Sequence, residues 1–184
     1  RDSKVDVQID EGAEPIRVRD YTIDHNYLDN FNIELIAGEN FPENTAQQSE
    51  LFALVNEDFL DKFQMGTASE VIGKPIIVSD STQLTIRGVV KDFLYKPLTY
   101  NIEPLLLRYN PERLNVLNLT VSGGEIPTTI AAIERTWTSI EKEREISYSF
   151  YDENIKETYA DLQDMASVVG YFGTLGLIIA YLGL

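Results

Sequence analysis

Residues 51–63 read LFALVNEDFLDKF, and the change of period inside them settles the fold class. Five apolar residues in succession, Leu51 to Val55, are too few for an ordinary helix and predict a buried strand. Asn56 follows, a residue whose side-chain oxygen can accept from a backbone N–H of the first helical turn. Glu57 and Asp58 come next, carboxylates that favour the positive end of a helix dipole. Phe59, Leu60 and Phe63 then share one helical face. A strand running straight into a short capped helix predicts an α+β chain.

Working outward, Thr67–Ala68–Ser69–Glu70 has capping-box spacing before Val71 and Ile72, and Gly73 stops that helix. Strands are predicted at Pro75–Val78, at Leu84–Val90 and at about Pro104–Tyr109, with a turn at Asp80–Gln83 and a loop around Pro97. On the N-terminal side, Val5, Val7 and Ile9 alternate, as do Ile16 and Val18, which predicts two strands joined across the acidic turn Asp10–Pro15. The apolar phase then slips at Asp20 before Tyr21 and Ile23, so a bulge is expected there. Asp24 is a candidate cap for a short helix burying Tyr27, Leu28 and Phe31. Ile33–Phe41 carries an expected turn at Ala37–Gly38, and Pro42–Glu50 reads as a loop.

On the C-terminal side, Leu117, Leu119 and Val121 alternate with polar residues, and Gly123–Gly124 breaks the run. Pro127 can open a helix in which Ile130, Ile133, Trp137 and Ile140 recur at helical spacing. Ile146, Tyr148 and Phe150 alternate again, completing a β–α–β pattern. From Asp152, Ile155, Tyr159, Leu162, Ala166 and Val169 form one stripe, and from Met165 to Leu184 only uncharged residues occur. That pattern predicts a stalk helix running into a transmembrane segment cut short at the chain's end, with Tyr171 and Phe172 at the interface. Ala166, Gly170 and Thr174, like Gly176 and Ala180, are small residues at helix-packing intervals.

The expected architecture is therefore two-part. Residues 1–44 and 113–151 form the two halves of one subdomain, residues 45–112 an inserted smaller α+β lobe, and residues 152–184 the stalk and the start of the membrane helix.

Composition narrows the function. Thirty acidic residues against fifteen basic ones give a net charge of −15, which opposes binding to nucleic-acid phosphates. Arg17 and Arg19 form no basic cluster, since Glu14 and Asp20 lie beside them. The absence of cysteine excludes disulfides, thiolate metal sites and a Cys nucleophile. The single histidine, His25, lacks a G-x-S-x-G context and is expected to be partly exposed near a helix's first turn. Asp10–Glu11, Glu57–Asp58 and Asp152–Glu153 read as solvated turns and helix starts, and Asp2–Asp6–Asp10 does not have calcium-loop spacing. No G-x-x-x-x-G-K-[ST] nucleotide loop is present. No catalytic, cofactor-binding or metal-ligating residue is assigned.

Several stretches, in their order, resemble the extracytoplasmic domain of MacB/FtsX-type ABC transporter permeases. YLDNFNIELIAGENF at 27–41 is similar to that family's Y-x-x-x-F-x-I-x-L-x-x-G-R-x-F. Val55–Asn56–Glu57, Ile72–Gly73–Lys74–Pro75–Ile76, IRGVVKDF at 86–93, Ile102–Glu103–Pro104 and Phe150–Tyr151–Asp152–Glu153 follow in the family's order. Glu39 stands where the family has Arg, and Leu94 where relatives have His. The resemblance implies a porter-like β–α–β subdomain with an inserted lobe, facing the periplasm from the bacterial inner membrane. It implies a non-enzymatic role, coupling ATP hydrolysis in a cytoplasmic ABC ATPase to extracytoplasmic movement. The partners it implies are that ATPase, a second permease protomer, a periplasmic protein or cargo, and membrane lipid through the C-terminal helix. A ligand-sensing ectodomain of a membrane receptor is the alternative.

Overall fold

A computed structural model describes residues 3–43, 51–79, 82–95, 101–121, 124–151 and 171–183. The described elements fall into two units, Arg1–Leu94 with Asn101–Thr120, and Tyr95–Tyr100 with Val121–Leu184.

The first unit is built on seven strands: β1 (Ser3–Gln8), β2 (Ile16–Thr22), β3 (Leu35–Gly38), β4 (Phe52–Asn56), β5 (Pro75–Val78), β6 (Gln83–Val90) and β7 (Leu105–Arg108). Their order is β3-β6-β4-β7-β2-β1-β5, and β5 also pairs with β6. Six strands thus close into a ring, and β3 is attached to the outer half of β6 beyond the part that β5 uses. The pairs β2–β7 and β4–β6 are parallel and the other ladders antiparallel. Among the described residues, closure leaves only β3 with a free edge, which limits strand-to-strand aggregation.

The interior fills from alternate residues of each strand: Val7, Val18, Ala53, Val55, Ile76, Val78, Leu84, Ile86 and Leu106. Two short helices cap it. In α2 (Glu57–Phe63), Phe59, Leu60 and Phe63 are buried, with the Phe59 and Phe63 rings stacked 4.3 Å apart. In α3 (Ala68–Val71), Val71 is buried. The Asn56 cap is as expected, its side chain accepting from Phe59 N. Glu70 reaches back to Thr67 N at 2.8 Å, as the capping-box spacing predicted.

The structure corrects four details of the sequence reading. First, the ladders join residues 3–22 to residues 75–108, so the blocks expected to lie in separate subdomains share one sheet. Second, no bulge occurs in the β1–β2 register, which runs regularly from Ser3↔Asp20 to Val7↔Ile16. The apolar phase breaks because Asp20 itself points inward and is buried. Irregularities lie instead at Leu35/Ala37 and at Ala53/Leu54. Third, Ala37–Gly38 ends a strand, with Gly38 at φ +77° where β3 crosses close to the Arg87 carbonyl. Fourth, the residue that precedes α1 (Tyr27–Asn30) at its N-terminus is Asn26 rather than Asp24, and its side chain makes no capping hydrogen bond, though Leu28 is buried as expected.

In the second unit, α4 (Ile126–Ile140) opens with Pro in its first turn, as the sequence predicted. None of its residues is buried. The Trp137 indole donates to the Arg144 carbonyl at 2.8 Å, which folds the following chain back along the helix end. Among the described residues, 117–121 and 146–150 belong to no ladder, contrary to the two strands expected there. Their alternation is genuine, but a strand needs hydrogen-bonding neighbours as well as a pattern. Residues 171–182 are helical. Among the described residues no helix is long and apolar enough to cross a membrane. The expected stalk, 152–170, lies outside the described residues.

Candidate functional site

The acidic pairs fall where helix and turn chemistry put them. Asp10 and Glu11 occupy the exposed turn between β1 and β2, and Glu57 and Asp58 form the first turn of α2. Asp152–Glu153 lies outside the described residues. His25 is partly exposed just before α1, as expected, and its carbonyl accepts from Asn40 Nδ2 at 2.8 Å. Among the described residues no group of three or more His, Cys, Asp or Glu could hold a metal ion.

What the fold does bring together is three of the motifs that carry the family resemblance. Asn56 closes β4 and opens α2, Asp92 follows β6, and Glu103 precedes β7. Asn56 is almost completely buried, at 1% exposure, so each of its amide atoms must find a partner inside the protein. Its Nδ2 donates to Asp92 Oδ1 at 2.7 Å and to the Glu103 carbonyl at 3.2 Å. Its Oδ1 accepts from Phe59 N at 3.1 Å and from Leu105 N at 2.8 Å. Two donors and two acceptances saturate a carboxamide. The Asp92 carboxylate also accepts from Asp58 N at 3.2 Å, and Glu57 Oε2 accepts from Asp92 N at 3.0 Å. Asp92 therefore caps α2 from a distant part of the chain. Partial burial, and then the neighbouring charges of Asp92 and Asp61, push the Asp58 carboxyl above its ordinary range.

A second polar feature lies on the inward faces of β2 and β7. Asp20 follows Val18 inward and Arg108 follows Leu106. Their side chains are 3% and 1% exposed, and Arg108 Nη1 lies 3.9 Å from Asp20 Oδ2. Arg113, from the turn Pro111–Arg113, brings a second guanidinium to 3.8 Å of the same oxygen. Outside the ring, Glu103 ties β1 and β2 to the start of β7 by accepting from Lys4 at 3.2 Å and Arg19 at 2.6 Å.

A groove of about 900 Å³ opens beside this end of the first unit, its wall including Thr22, Asp24, Tyr27, Asn30, Arg113 and Asn118. Ser3 lies in that wall, but His25 does not, so no Ser–His pair forms there.

Sequence reading found Asn56 as a helix cap and missed its second role, because the other three partners arrive from 36 to 49 residues away. It missed the Asp20–Arg108 pair too, although the phase slip at Asp20 was its trace. A charged residue standing at an inward strand position is the available signal.

No protein-family model and no curated protein sequence matches the chain. Solved structures do. The chain is similar to the extracellular domain of the noncanonic ABC-type transporter YknZ from Gram-positive bacteria, at TM-score 0.56 and 14% identity, covering 78% of this chain and 74% of that one. It is also similar to the periplasmic region of MacB from Actinobacillus actinomycetemcomitans, at TM-score 0.54 and 15% identity, covering 86% of this chain and 72% of that one. The mixed α/β fold is thus of the class seen in the YknZ extracellular domain and the MacB periplasmic region. Within it, the chain has the fold of the MacB-type domain.

Proposed function

We propose that this chain is the non-catalytic extracytoplasmic domain of an ABC transporter permease of MacB/FtsX type. The observation that carries the reading is the likeness in fold to the YknZ and MacB domains. In this reading ATP is hydrolysed by a cytoplasmic ATPase subunit or domain, and the domain faces the periplasm or cell exterior of a bacterium. Two such permease protomers work together, and the movement serves export, peptide or lipoprotein handling, or regulation of a periplasmic partner. Residues 113–151 contribute to a porter-like subdomain, and residues 152–184 form the stalk and the beginning of a membrane helix that touches lipid. The helix α4 and the uncharged run 165–184 support these two assignments.

The cysteine-free sequence offers a direct test. In the full-length parent protein expressed in cells, with any cysteine outside these 184 residues replaced by serine, single cysteines are placed at the exposed positions Leu94 and Glu112. A membrane-impermeant maleimide should label both in intact cells, and an ABC ATPase should co-purify with the protein or be fused to it. Labelling only after lysis would overturn the topology. Labelling in intact cells with a signalling domain and no ATPase would leave an ectodomain and remove transport.

A further inference from the structure

The groove of about 900 Å³ beside the end of β2 is lined only by residues of the first unit, and its volume is that of a ligand site. Ser3, Asp24, Tyr27 and Asn30 line it together with the continuous run 112–118. That run is the informative part. After β7 the chain turns through Pro111–Arg113 and leaves Leu114 extended, at φ −74° and ψ 114°. Beyond it, among the described residues, no backbone N–H or C=O of 115–118 makes a hydrogen bond. Main chain with its donors and acceptors open is what an added strand pairs with. At about 3.3 Å per residue this stretch spans about 13 Å, enough to pair with about four residues of a second strand.

The side chains agree. The carboxamides of Asn30, Asn115 and Asn118 line the same groove and, among the described residues, make no hydrogen bond. Each offers both donors and an acceptor, the complement of a peptide group. Val116 and Leu117 are 72% and 79% exposed and offer apolar contact to a neighbouring strand. Charge gives the sign of the ligand. Arg113 is the cation among the lining residues, and its guanidinium stands 3.8 Å from the Asp20 carboxylate. Asp24 and Glu112 also line the groove, and among the described residues neither is in an ion pair. The net charge of −15 adds to the same field. We propose that this groove binds an extended basic peptide segment of a partner, paired through main-chain hydrogen bonds to residues 115–118 and carrying lysine or arginine opposite Asp24 and Glu112. The inference rests on the first unit alone and does not depend on the transport reading.

The probe is a fluorescein-labelled octapeptide of alternating lysine and valine, added to the full chain in nonionic detergent and followed by anisotropy. Saturable binding tighter than about 1 mM is expected. At about ten times its Kd the peptide should slow hydrogen exchange about tenfold at amides within 115–118, read by NMR, and leave the ladder amides of Leu54 and Val89 at their parent rates. Asp24→Asn/Glu112→Gln should weaken binding about fivefold at low salt, and neither side chain has an ion pair among the described residues whose loss would disturb the fold. The same peptide N-methylated throughout should bind at least about tenfold more weakly, because its main-chain donors are gone. A glutamate–valine peptide should not bind. Absence of saturable binding, binding without protection at 115–118, equal binding of the methylated or the glutamate peptide, or undiminished affinity in the double variant would each overturn the proposal. So would binding by this chain and none by the full-length parent protein, because the parent would then cover the groove with a segment of its own.

Discussion

Substituting Arg108 by methionine removes one guanidinium from a carboxylate that is itself buried. Asp20 is 3% and Arg108 1% exposed, so water cannot take over from the missing partner. Breaking a buried ion pair from one side typically costs about 3–5 kcal/mol. The lower end applies to Arg108→Met, because Arg113 remains 3.8 Å from Asp20 and still offers a positive charge. Asp20→Leu belongs at the upper end, since it leaves the Arg108 guanidinium in a site stripped of its carboxylate. With a urea slope of about 1–3 kcal/mol per molar, a loss of about 3 kcal/mol moves the unfolding midpoint down by roughly 1–3 M. The double variant Asp20→Leu/Arg108→Met removes both desolvation penalties and keeps the apolar volume. It should lie within about 1 kcal/mol of the parent or above it, as buried pairs replaced by apolar residues often do. Urea unfolding of the four proteins followed by far-ultraviolet circular dichroism gives the cycle. Single variants within about 0.5 kcal/mol of the parent would refute the reasoning, because surface-like substitutions behave that way. A double variant as unstable as the sum of its singles would refute the pairing itself.

Other consequences are narrower. Leu106→Ala, at a fully buried position of the ring core, should cost about 2–5 kcal/mol in the same urea assay, whereas Leu117→Ala, 79% exposed, should stay within about 0.5 kcal/mol. Gly38→Ala forces a side chain onto φ +77° against the Arg87 carbonyl, so exchange at Glu39 N, which donates to that carbonyl at 3.0 Å, should accelerate while β1–β2 is unaffected. Glu70 accepts from Thr67 N and Oγ1, and these bonds hold its carboxyl below the ordinary value of 4.5. Its contribution is therefore complete above pH 4.5 and is lost as pH falls through the lower folded value. Glu70→Gln should be less stable than the parent at neutral pH, and thermal melts at decreasing pH should show the two converge.

Periodicity, capping chemistry and turn residues act within a few positions, and those features were legible in the chain. The strand-to-helix change at Asn56, the box Thr67–Glu70, the hairpin around Asp10–Pro15 and the helix behind Pro127 all appear where their local signals stand. Composition alone sufficed for the strong acidity and the lack of thiol chemistry. The order of motifs pointed to a transporter-type extracytoplasmic fold, and similarity in space agrees. Partnership was not legible. Which strand lies beside which depends on matching ladders across the chain, such as Arg19 against Leu105, and no short window contains that information. The same limit explains why alternation at 117–121 and 146–150 promised strands that no described ladder accepts. It also explains the two polar sites. Asp20 looked like a bulge until Arg108 was brought opposite it, and Asn56 looked like a cap until Asp92, Glu103 and Leu105 closed around it. Local sequence fixes what each segment can become, because backbone torsion and capping are short-range. Only the closed ring decides which buried polar groups meet, because burial and its demand for partners exist only after the chain has folded.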